Sequence, residues 1–168
     1  FENHLPKMGV SVQMNDSKLP IQLQGKLNAG NYQVDGSQSS QYISGLLIAF
    51  TQIEGKTILE VQNLTSRPYI DMTIQTMKMF GLKVDETNNG VFQIEGPQAP
   101  KLDHYTIDGD WSSASCLLVG SALGLDIKIN GLSMASKQAD KTLINALMFA
   151  GCRFFNSSEG MYFDGTNR

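Results

Sequence analysis

Cysteine and histidine are scarce in this sequence, which has two of each among its 168 residues. Cys116 and Cys152 lack the CxxC or Cys/His spacing of a zinc site, so no structural metal is expected. We interpret both as reduced thiols in the core, which is typical of a cytoplasmic protein. His4 and His104 each stand alone, and a lone histidine is more often structural than catalytic. The sequence therefore indicates neither a metal nor a cofactor.

Charge and long apolar runs are limited as well. Charged residues make up 17% of the chain, the net charge is −3 and the pI is about 5.3, which argues against nucleic acid or a membrane as partner. No stretch approaches the roughly 18 apolar residues that a spanning helix needs, and no signal peptide opens the chain. The hydrophobic fraction of 41% is ordinary for a soluble protein of one or two domains. Because the chain begins at Phe1, we expect it to be partial.

A repeat with a period of about 70 residues organises the sequence. Asp35-Gly36-x-x-Ser39-Ser40 recurs as Asp108-Gly109-x-x-Ser112-Ser113, and Phe80-Gly81 recurs as Ala150-Gly151. Each copy predicts strand, helix, strand, helix, strand, strand, which is an α+β arrangement of mixed sheets with helices packed on one face. A proline-containing stretch at 96–102 is typical of a connector between the copies.

The predicted elements follow from hydrophobic periodicity and turn signals. In the first copy we expect them at 31–35, 39–52, 57–62, 67–80, 82–86 and 91–95. In the second copy we expect them at 104–108, 112–124, 126–130, 137–150, 152–156 and 161–164. Asn88-Asn89-Gly90 and Ser157-Ser158-Glu159-Gly160 predict the hairpin turn that ends each copy.

Neutral polar residues lie at both predicted helix starts of the first copy. Ser39, Ser40 and Gln41 open the first helix. Ser66 precedes the second helix, where Pro68 suits the first turn. Helix starts leave backbone N–H groups without helical partners and favour anions, and serine hydroxyls add uncharged donors for a phosphate. The alternative interpretation is that these serines only cap their helices.

Three blocks of the sequence follow one another in a recognisable order. The blocks are Asp35-Gly36-Ser37-x-Ser39-Ser40-Gln41, Ser66-x-Pro68-Tyr69-Ile70-x-Met72-Thr73 and Gly109-Asp110-x-Ser112-Ser113-Ala114-Ser115. In order and spacing they resemble the EPSP synthase (3-phosphoshikimate 1-carboxyvinyltransferase) family. The resemblance covers essentially the whole chain and implies an internal part of an enzyme more than twice as long.

The resemblance also implies a fold and a domain division. The fold is built of repeated βαβαββ units of the enolpyruvyl transferase type, an inside-out α/β barrel. Residues 1–108 would form part of the shikimate-phosphate-binding domain, with the end of one unit and one full unit. Residues 109–168 would be one unit that begins the other domain.

The activity that the resemblance implies is transfer of the enolpyruvyl group of phosphoenolpyruvate to shikimate 3-phosphate, with release of inorganic phosphate. Both molecules would be partners of a monomeric, cytoplasmic enzyme that needs no cofactor, in the pathway to chorismate and the aromatic amino acids. Ser39, Ser40 and Ser66 match positions that bind or adjoin the shikimate phosphate. Tyr69 matches a ring that lies against shikimate, and Gln41 matches a position between the substrates that also contacts phosphoenolpyruvate.

The same likeness implies that this stretch holds no catalytic residue. The family's phosphoenolpyruvate-binding lysines and arginines lie before Phe1 or after Arg168, and its acid–base carboxylates lie after Arg168. The acidic residues within the chain are interpreted as turn, cap or surface groups: Asp35, Asp71, Asp108 and Asp110. We therefore expect half a site, on the shikimate 3-phosphate side.

Two further groups of residues are interpreted as structural. Ser112 and Ser113 occupy the same repeat positions as Ser39 and Ser40. The resemblance implies no substrate contact for the later pair, so we expect it to cap its helix. Apolar residues at helical spacing predict core packing: Met72, Met77, Met79 and Phe80.

Two alternative functions remain open. One is a relative of the transferase that acts on UDP-N-acetylglucosamine, although that family lacks the Ser-Ser-Gln block and has a reactive cysteine loop not found in this sequence. The other is a non-catalytic module that binds a phosphorylated metabolite. Such a module would explain the missing acid, base and cations without a partial chain.

Overall fold

Residues 2–16 and 18–165 are described by a computed structural model, in which the chain divides into two units. The units are Phe1–Asp103 and His104–Arg168. Both contain helices and strands, and the first holds a mixed sheet, so the predicted α+β class is confirmed. Across the described residues, no helix has the length and apolar character needed to cross a membrane.

The main sheet of the first unit has four strands. β3 (Asn31–Asp35) and β4 (Gly55–Gln62) pair in parallel. β4 also pairs antiparallel with β6 (Val91–Gly96), which pairs antiparallel with β5 (Asp85–Asn88). The order β3-β4-β6-β5 is the mixed sheet that the first repeat predicts.

Two helices, α1 (Ser40–Phe50) and α2 (Arg67–Met79), pack against each other, and α1 also packs on β6. Burial alternates along β4, whereas on the helices it follows the helical period, so one apolar face of each element meets a common core. Burying each large apolar side chain contributes roughly 1.5–3 kcal/mol. Fully buried members of this core include Ile43, Leu47, Leu59, Ile70 and Phe92.

A two-stranded sheet precedes these elements in the first unit. Its strands are β1 (Val10–Asn15) and β2 (Lys18–Gly25), which pair antiparallel after a short 3-10 helix at Leu5–Met8. Apolar residues from this part, among them Met8 and Val10, join the core of the unit.

The second unit contains α3 (Trp111–Ala122), α4 (Leu143–Phe149) and a hairpin of β7 (Arg153–Ser157) and β8 (Gly160–Asp164). α3 packs on β8, and the predicted hairpin is confirmed. The indole of Trp111 is fully buried and donates to a backbone carbonyl at 3.2 Å. The main apolar cluster of this unit consists of Trp111, Leu118, Ala122, Ile144, Cys152, Met161 and Phe163.

Two strands predicted for the second unit are wrong. Residues 104–108 form no strand, and all of them are exposed, including Ile107 at 84%. Residues 126–130 contribute only a single bridge, between Ile129 and Met161. A strand is stabilised by cross-strand pairing and by burial of one face, and residues 104–108 neither belong to a strand nor have a buried side chain.

The helix predicted at 137–150 is shorter than expected. A 3-10 turn at Ala139–Thr142 leads into α4. Gln138 explains the late start, because its backbone is non-helical at φ −58° and ψ 130°. Its side-chain amide accepts the Trp111 N–H and donates to the Gly109 carbonyl, both at 2.8 Å. These bonds hold Gln138 outside the helix.

The core assignments of Cys116 and Met79 are wrong. Cys116 is exposed on α3, whereas Leu118 on the same helix is fully buried. Met79 is 50% exposed, whereas Met77 is buried. Residues two apart on a helix lie on different faces, so a loose apolar spacing does not place all of them in the core. Cys152 is buried, as predicted.

Asp110 caps α3, so the prediction that Ser112 and Ser113 cap it is wrong. α3 begins two residues earlier in the repeat than α1, which Ser39 caps. The Asp110 carboxylate accepts the N–H of Ser112 at 2.9 Å, the N–H of Ser113 at 3.2 Å and the Ser113 hydroxyl. These bonds, that of the Ser113 hydroxyl foremost, hold the pKa of Asp110 below its usual value. A carboxylate presents two charged oxygens to these donors and so takes the cap position.

Replacing Asp110 by alanine should destabilise the second unit more than Ser112→Ala does, because only Asp110 caps the helix. Thermal unfolding followed by the fluorescence of Trp111 measures both variants. The stabilisation that the Asp110 carboxylate contributes is present above the ordinary aspartate pKa of about 3.9. It is lost as the pH falls through the lowered pKa of Asp110 in the folded chain. The thermal midpoint of Asp110→Ala should therefore lie clearly below that of the unaltered chain at neutral pH, and the difference should shrink in acid. A deficit in Ser112→Ala as large as that in Asp110→Ala would contradict this assignment.

Candidate functional site

The loops that follow β3 and β4 lie at the same edge of the sheet. The two strands are parallel neighbours, so their carboxyl ends meet at that edge. Loops 36–39 and 63–66 begin there and lead directly into α1 and α2. The strand pairing therefore brings the predicted site residues of both segments to one place, which is the common location of ligand sites in such sheets.

Hydrogen bonds join the two loops. The Gly36 N–H donates to the Gln62 carbonyl at 2.8 Å, and the Thr65 hydroxyl donates to the Gly36 carbonyl at 3.0 Å. Gly36 must lack a side chain, because a Cβ atom there would lie 2.6 Å from Cγ1 of Val61. These contacts hold the loops against each other and set the distance between the starts of α1 and α2.

Ser39 is the N-cap of α1, with an extended backbone at φ −162° and ψ 126°. Its Oγ accepts the Gln41 N–H at 3.2 Å, so this serine does cap its helix. An oxygen that accepts in a cap still carries an O–H, which can donate at the positive end of the helix. Ser40 is the first helical residue and is buried, whereas Gln41 is exposed. Capping and anion binding are thus compatible at this helix start.

Ser66 precedes α2 in the left-handed region, at φ 53° and ψ 39°. This conformation costs a residue with a Cβ atom about 1–2 kcal/mol. The Ser66 side chain makes no capping hydrogen bond, although its carbonyl accepts the Tyr69 N–H at 3.1 Å. A backbone outlier that is not explained by capping points to a functional constraint.

An open cleft of about 920 Å³ lies at the starts of α1 and α2. All five residues predicted to bind substrate line it: Ser39, Ser40, Gln41, Ser66 and Tyr69. The rest of the lining is also uncharged: Gln38, Ser44, Gly45, Ile48, Met72, Thr73, Thr76 and Met77. The cleft combines hydroxyl and amide groups with apolar surface, a mixture that orients small polar ligands.

A short hydrogen-bond chain links the two helices within the cleft lining. The hydroxyl oxygens of Ser44 and Thr73 are 2.8 Å apart. The Thr73 hydroxyl also donates to the Tyr69 carbonyl at 3.0 Å. Because Thr73 has one hydroxyl proton and gives it to Tyr69, Ser44 is the donor between the two hydroxyls. These hydrogen bonds tie α1 to α2 within the first two turns of each helix.

Sequence reasoning missed eight lining residues: Gln38, Ser44, Gly45, Ile48, Met72, Thr73, Thr76 and Met77. Ser44 lies four residues after Ser40, and Thr73 lies four residues after Tyr69. This spacing places residues on one helix face and could have identified both. The core packing predicted for Met72 is wrong, because this residue is half-buried and lines the cleft. Gln38 carries no comparable signal.

The charged residues that flank the two loops are bound to neighbours outside the cleft lining. Arg67 forms ion pairs with Glu86 at 2.6 Å and with Asp71 at 2.7 Å. Asp35 accepts the Ser37 hydroxyl at 2.8 Å and the Ser37 N–H at 3.1 Å, which is the turn role predicted for it. These bonds, the Ser37 hydroxyl foremost, keep the pKa of Asp35 below its usual value.

The start of α3 differs from that of α1 in charge. The Asp110 carboxylate already binds the first N–H groups of α3, whereas the cap of α1 is the uncharged Ser39. A further anion at α3 would meet a like charge, and an anion at α1 would not. The two copies of the repeat are therefore not equivalent as anion sites.

The histidines and acidic residues form no metal centre in the part of the chain that the structure describes. Within residues 2–16 and 18–165, no three His, Cys, Asp or Glu side chains are grouped to hold a metal ion. The His4 ring stacks on Tyr42 with 6.0 Å between centroids. Burial lowers the pKa of His4 and raises that of Tyr42 to about 12. The stacking agrees with the structural role predicted for His4.

A family model and curated proteins that match this chain carry the same name. A family model described as EPSP synthase (3-phosphoshikimate 1-carboxyvinyltransferase) matches residues 3–160. Curated proteins named 3-phosphoshikimate 1-carboxyvinyltransferase are similar to this chain. One from Methanosarcina acetivorans is 41% identical over 154 residues, and one from Clostridium beijerinckii is 33% identical over 156. The alignments cover 89% and 92% of this chain but 35% and 36% of those proteins. The chain thus spans about a third of the length of these relatives.

Solved structures share the fold. The EPSP synthase from Acinetobacter baumannii matches with a TM-score of 0.67 and 22% identity, over 96% of this chain and 38% of that one. The enolpyruvyl transferase NikO from Streptomyces tendae matches with a TM-score of 0.59 and 14% identity, over 97% of this chain and 40% of that one. At these identities the likeness shows the fold alone, and it confirms the predicted enolpyruvyl transferase type. The sheets of the described residues have two, four and two strands and form no closed barrel.

Inorganic phosphate should bind at the start of α1 in preference to the start of α3, because only α3 has a carboxylate in place. A phosphate titration of the isotope-labelled chain, followed by amide chemical shifts, measures both. We expect saturable shifts at Ser40 and Gln41 and none at Ser112 and Ser113. In the control Asp110→Ala, a response should appear at α3. Equal responses at both starts of the unaltered chain would mean that the repeat, and not the first motif, explains the serines.

Proposed function

This chain belongs to the EPSP synthase family, and on that basis we propose that it forms the shikimate 3-phosphate side of a 3-phosphoshikimate 1-carboxyvinyltransferase. The full enzyme transfers the enolpyruvyl group of phosphoenolpyruvate to a hydroxyl of shikimate 3-phosphate and releases inorganic phosphate. The observation that carries the proposal is that one uncharged cleft is lined by Ser39, Ser40, Gln41, Ser66 and Tyr69.

In this proposal the phosphate of shikimate 3-phosphate lies against the start of α1. The hydroxyls of Ser39, Ser40 and Ser66 donate to it, together with backbone N–H groups of the first helical turn. Two observations support these roles: Ser39 caps through its oxygen alone, and the Ser66 side chain takes no part in capping. Neutral donors leave the phosphate charge uncompensated, so the full enzyme must bring cations from outside this chain.

Tyr69 and Gln41 are assigned to the remainder of the substrate. Tyr69 is 43% exposed and lines the cleft, so its ring can lie against the apolar side of the shikimate ring. Gln41 is exposed in the first turn of α1, where its side-chain amide can donate to one substrate and accept from the other. We place it between shikimate 3-phosphate and phosphoenolpyruvate.

The proton transfers of the reaction are assigned to other parts of the full enzyme. The methylene carbon of phosphoenolpyruvate gains a proton as the shikimate hydroxyl loses one and its oxygen bonds to the neighbouring carbon. Phosphate then leaves, and loss of a proton from the new methyl group restores the double bond. The described lining of the cleft contains no carboxylate, histidine or lysine, so this chain positions one substrate.

We further propose that residues 1–108 belong to the shikimate-phosphate-binding domain and that residues 109–168 begin the other. In support, all five site residues lie in the unit Phe1–Asp103, and no helix or strand occurs in residues 97–110. The full enzyme is taken to be a cytoplasmic monomer without a cofactor. Neither Cys116 nor Cys152 forms a disulfide, which is compatible with that setting.

The direct test is an assay of the full-length protein with both substrates, followed by phosphorus NMR. We expect inorganic phosphate and the enolpyruvyl ether to form only when both substrates are present. The isolated 168-residue chain is the matched control and should show no turnover. Binding of shikimate 3-phosphate without transfer would favour a non-catalytic module. Transfer to UDP-N-acetylglucosamine instead would favour the related transferase.

Replacing Gln41 by alanine in the full-length enzyme should lower kcat/KM roughly 10- to 1000-fold, the scale of one or two lost polar contacts in a closed site. An amide between two substrates stabilises the transition state more than it stabilises either bound substrate. Steady-state kinetics with each substrate varied measures this. Gln75→Ala, an exposed glutamine on α2 outside the cleft lining, is the control and should leave kcat/KM unchanged. Equal losses in the two variants would exclude the assigned role.

Two substitutions of Ser39 separate its capping role from substrate binding. Ser39→Ala removes both the hydroxyl and the cap, and loss of a cap costs about 0.5–2 kcal/mol. Ser39→Gly also removes the hydroxyl but retains most of the capping preference. We therefore expect similar increases in KM for shikimate 3-phosphate and a larger fall in thermal midpoint for Ser39→Ala. If KM instead rises in proportion to the fall in thermal midpoint across the two variants, the role of Ser39 is to cap the helix and not to bind substrate.

A further inference from the structure

The guanidinium of Arg67 is the cation of the Ser66-Arg67-Pro68 segment, and its contacts point away from a ligand role. We propose that Arg67 is a positioning residue, which holds the Ser66 turn and the start of α2 against the β5–β6 hairpin. On this proposal Arg67 does not contact the substrate phosphate. The inference rests on the proposed function, because it concerns how the phosphate side of that cleft keeps its shape.

The first support is the geometry of the contact with Glu86. Nη1 of Arg67 donates to Oε1 of Glu86 at 2.7 Å, and Nη2 donates to Oε2 at 2.6 Å. These are two parallel bonds between a planar fork and a carboxylate, the most specific ion-pair arrangement that arginine forms. Glu86 lies on β5, so the contact joins the start of α2 to the hairpin.

The second support is that Arg67 has little capacity left for a phosphate. Its Nε donates to Asp71 at 2.7 Å, and Nη1 also donates to Asn89 at 3.2 Å. With the two bonds to Glu86, four of its five N–H donors are engaged. Its positive charge faces two carboxylates, and the bonds to Arg67 lower the pKa of Glu86. A bidentate grip on a phosphate would require these bonds to break.

The third support is the conformation of the neighbouring residue. Ser66 is left-handed, a state that persists only where its surroundings hold it. Arg67 follows it directly and is anchored to the hairpin, and Glu86 is in turn held by the Gly90 N–H at 2.9 Å. Without this anchor, Ser66 is free to relax to the extended conformation of an ordinary cap. Its hydroxyl would then leave the place in the cleft that the proposed function gives it.

The substitution Glu86→Gln distinguishes positioning from direct binding, because the two roles predict opposite changes in KM for shikimate 3-phosphate. If Arg67 holds the turn, Glu86→Gln weakens the anchor and impairs substrate binding as Arg67→Gln does. If Arg67 binds phosphate directly, Glu86→Gln releases it from a competing carboxylate and leaves binding unchanged or improved. A role in stability alone would lower the thermal midpoint without raising KM.

The experiment measures KM for each substrate, kcat and thermal midpoint in the full-length enzyme. Arg67→Gln and Glu86→Gln should each raise KM for shikimate 3-phosphate roughly 3- to 30-fold, below the ~100-fold that a 1 Å misplacement can cost. The double variant should be no worse than either single one, because both break the same contact. Arg67→Lys should have a KM for shikimate 3-phosphate between those of the unaltered enzyme and Arg67→Gln, since lysine cannot form the two parallel bonds to Glu86. Arg153→Gln, which breaks an exposed pair with Asp164 in the second unit, is the control and should leave KM unchanged.

The outcomes separate this inference from the proposed function. An increase in KM with Arg67→Gln but none with Glu86→Gln overturns the positioning role, as does an unchanged KM in both. If Arg67→Gln does not fold, the sign of the Glu86→Gln effect decides. If the unaltered enzyme shows no transfer, the proposed function fails, and calorimetric binding of shikimate 3-phosphate replaces KM. Parallel losses of affinity then still support the anchor, and unchanged affinities overturn it.

Discussion

The parallel pairing of β3 with β4 is the interaction on which the rest of the cleft depends. It places the carboxyl ends of two strands side by side, so both following loops and both helix starts share one edge of the sheet. The bonds of Gly36 with Gln62 and Thr65 then hold the loops together, and the Ser44–Thr73 contact repeats the link one turn later. Antiparallel pairing would have put the two helix starts at opposite edges. The parallel direction of the two strands is therefore the first reason that the five cleft residues lie close together, and side-chain contacts come second.

Charged groups in this part of the molecule are bound by neighbouring residues and lie outside the cleft lining. Asp35 is held by the Ser37 turn, and Arg67 is held by Glu86 and Asp71. What remains for a ligand is a surface of neutral donors, whose strength does not change with pH near neutrality. In the proposed enzyme, affinity for a phosphorylated substrate therefore depends on the cations that the other part of the protein contributes. Binding by the complete site is then coupled to how its two sides come together.

Local signals predicted the first unit well, because its elements are determined by neighbours in sequence. The alternation in β4, the cap at Ser39 and the Asn88-Asn89-Gly90 turn are all short-range features, and each lies where it was expected. Two of the errors in the second unit arise where long-range contacts decide. Gln138 is held out of its helix by Trp111, 27 residues away, and 104–108 lacks the buried neighbours that a strand needs. The left-handed Ser66 could not be predicted, because its local sequence favours an ordinary cap. The site motif was found through its resemblance to a family, and its extension to Ser44 and Thr73 required the helices to be seen together.

The cap of α3 has a consequence for how repeated folds come to have one binding place and not two. Asp110 is in effect a tethered competitor: its carboxylate is covalently confined beside the α3 amides, at an effective concentration that a dissolved anion rarely matches. In the proposed site, the choice between two helix starts built on the same motif is thus made by occlusion of one of them. A duplicated unit can lose its affinity for small anions through a single side chain that satisfies its own backbone, while its hydrophobic core remains intact. Selectivity among the copies then requires no difference in the residues that would hold the ligand.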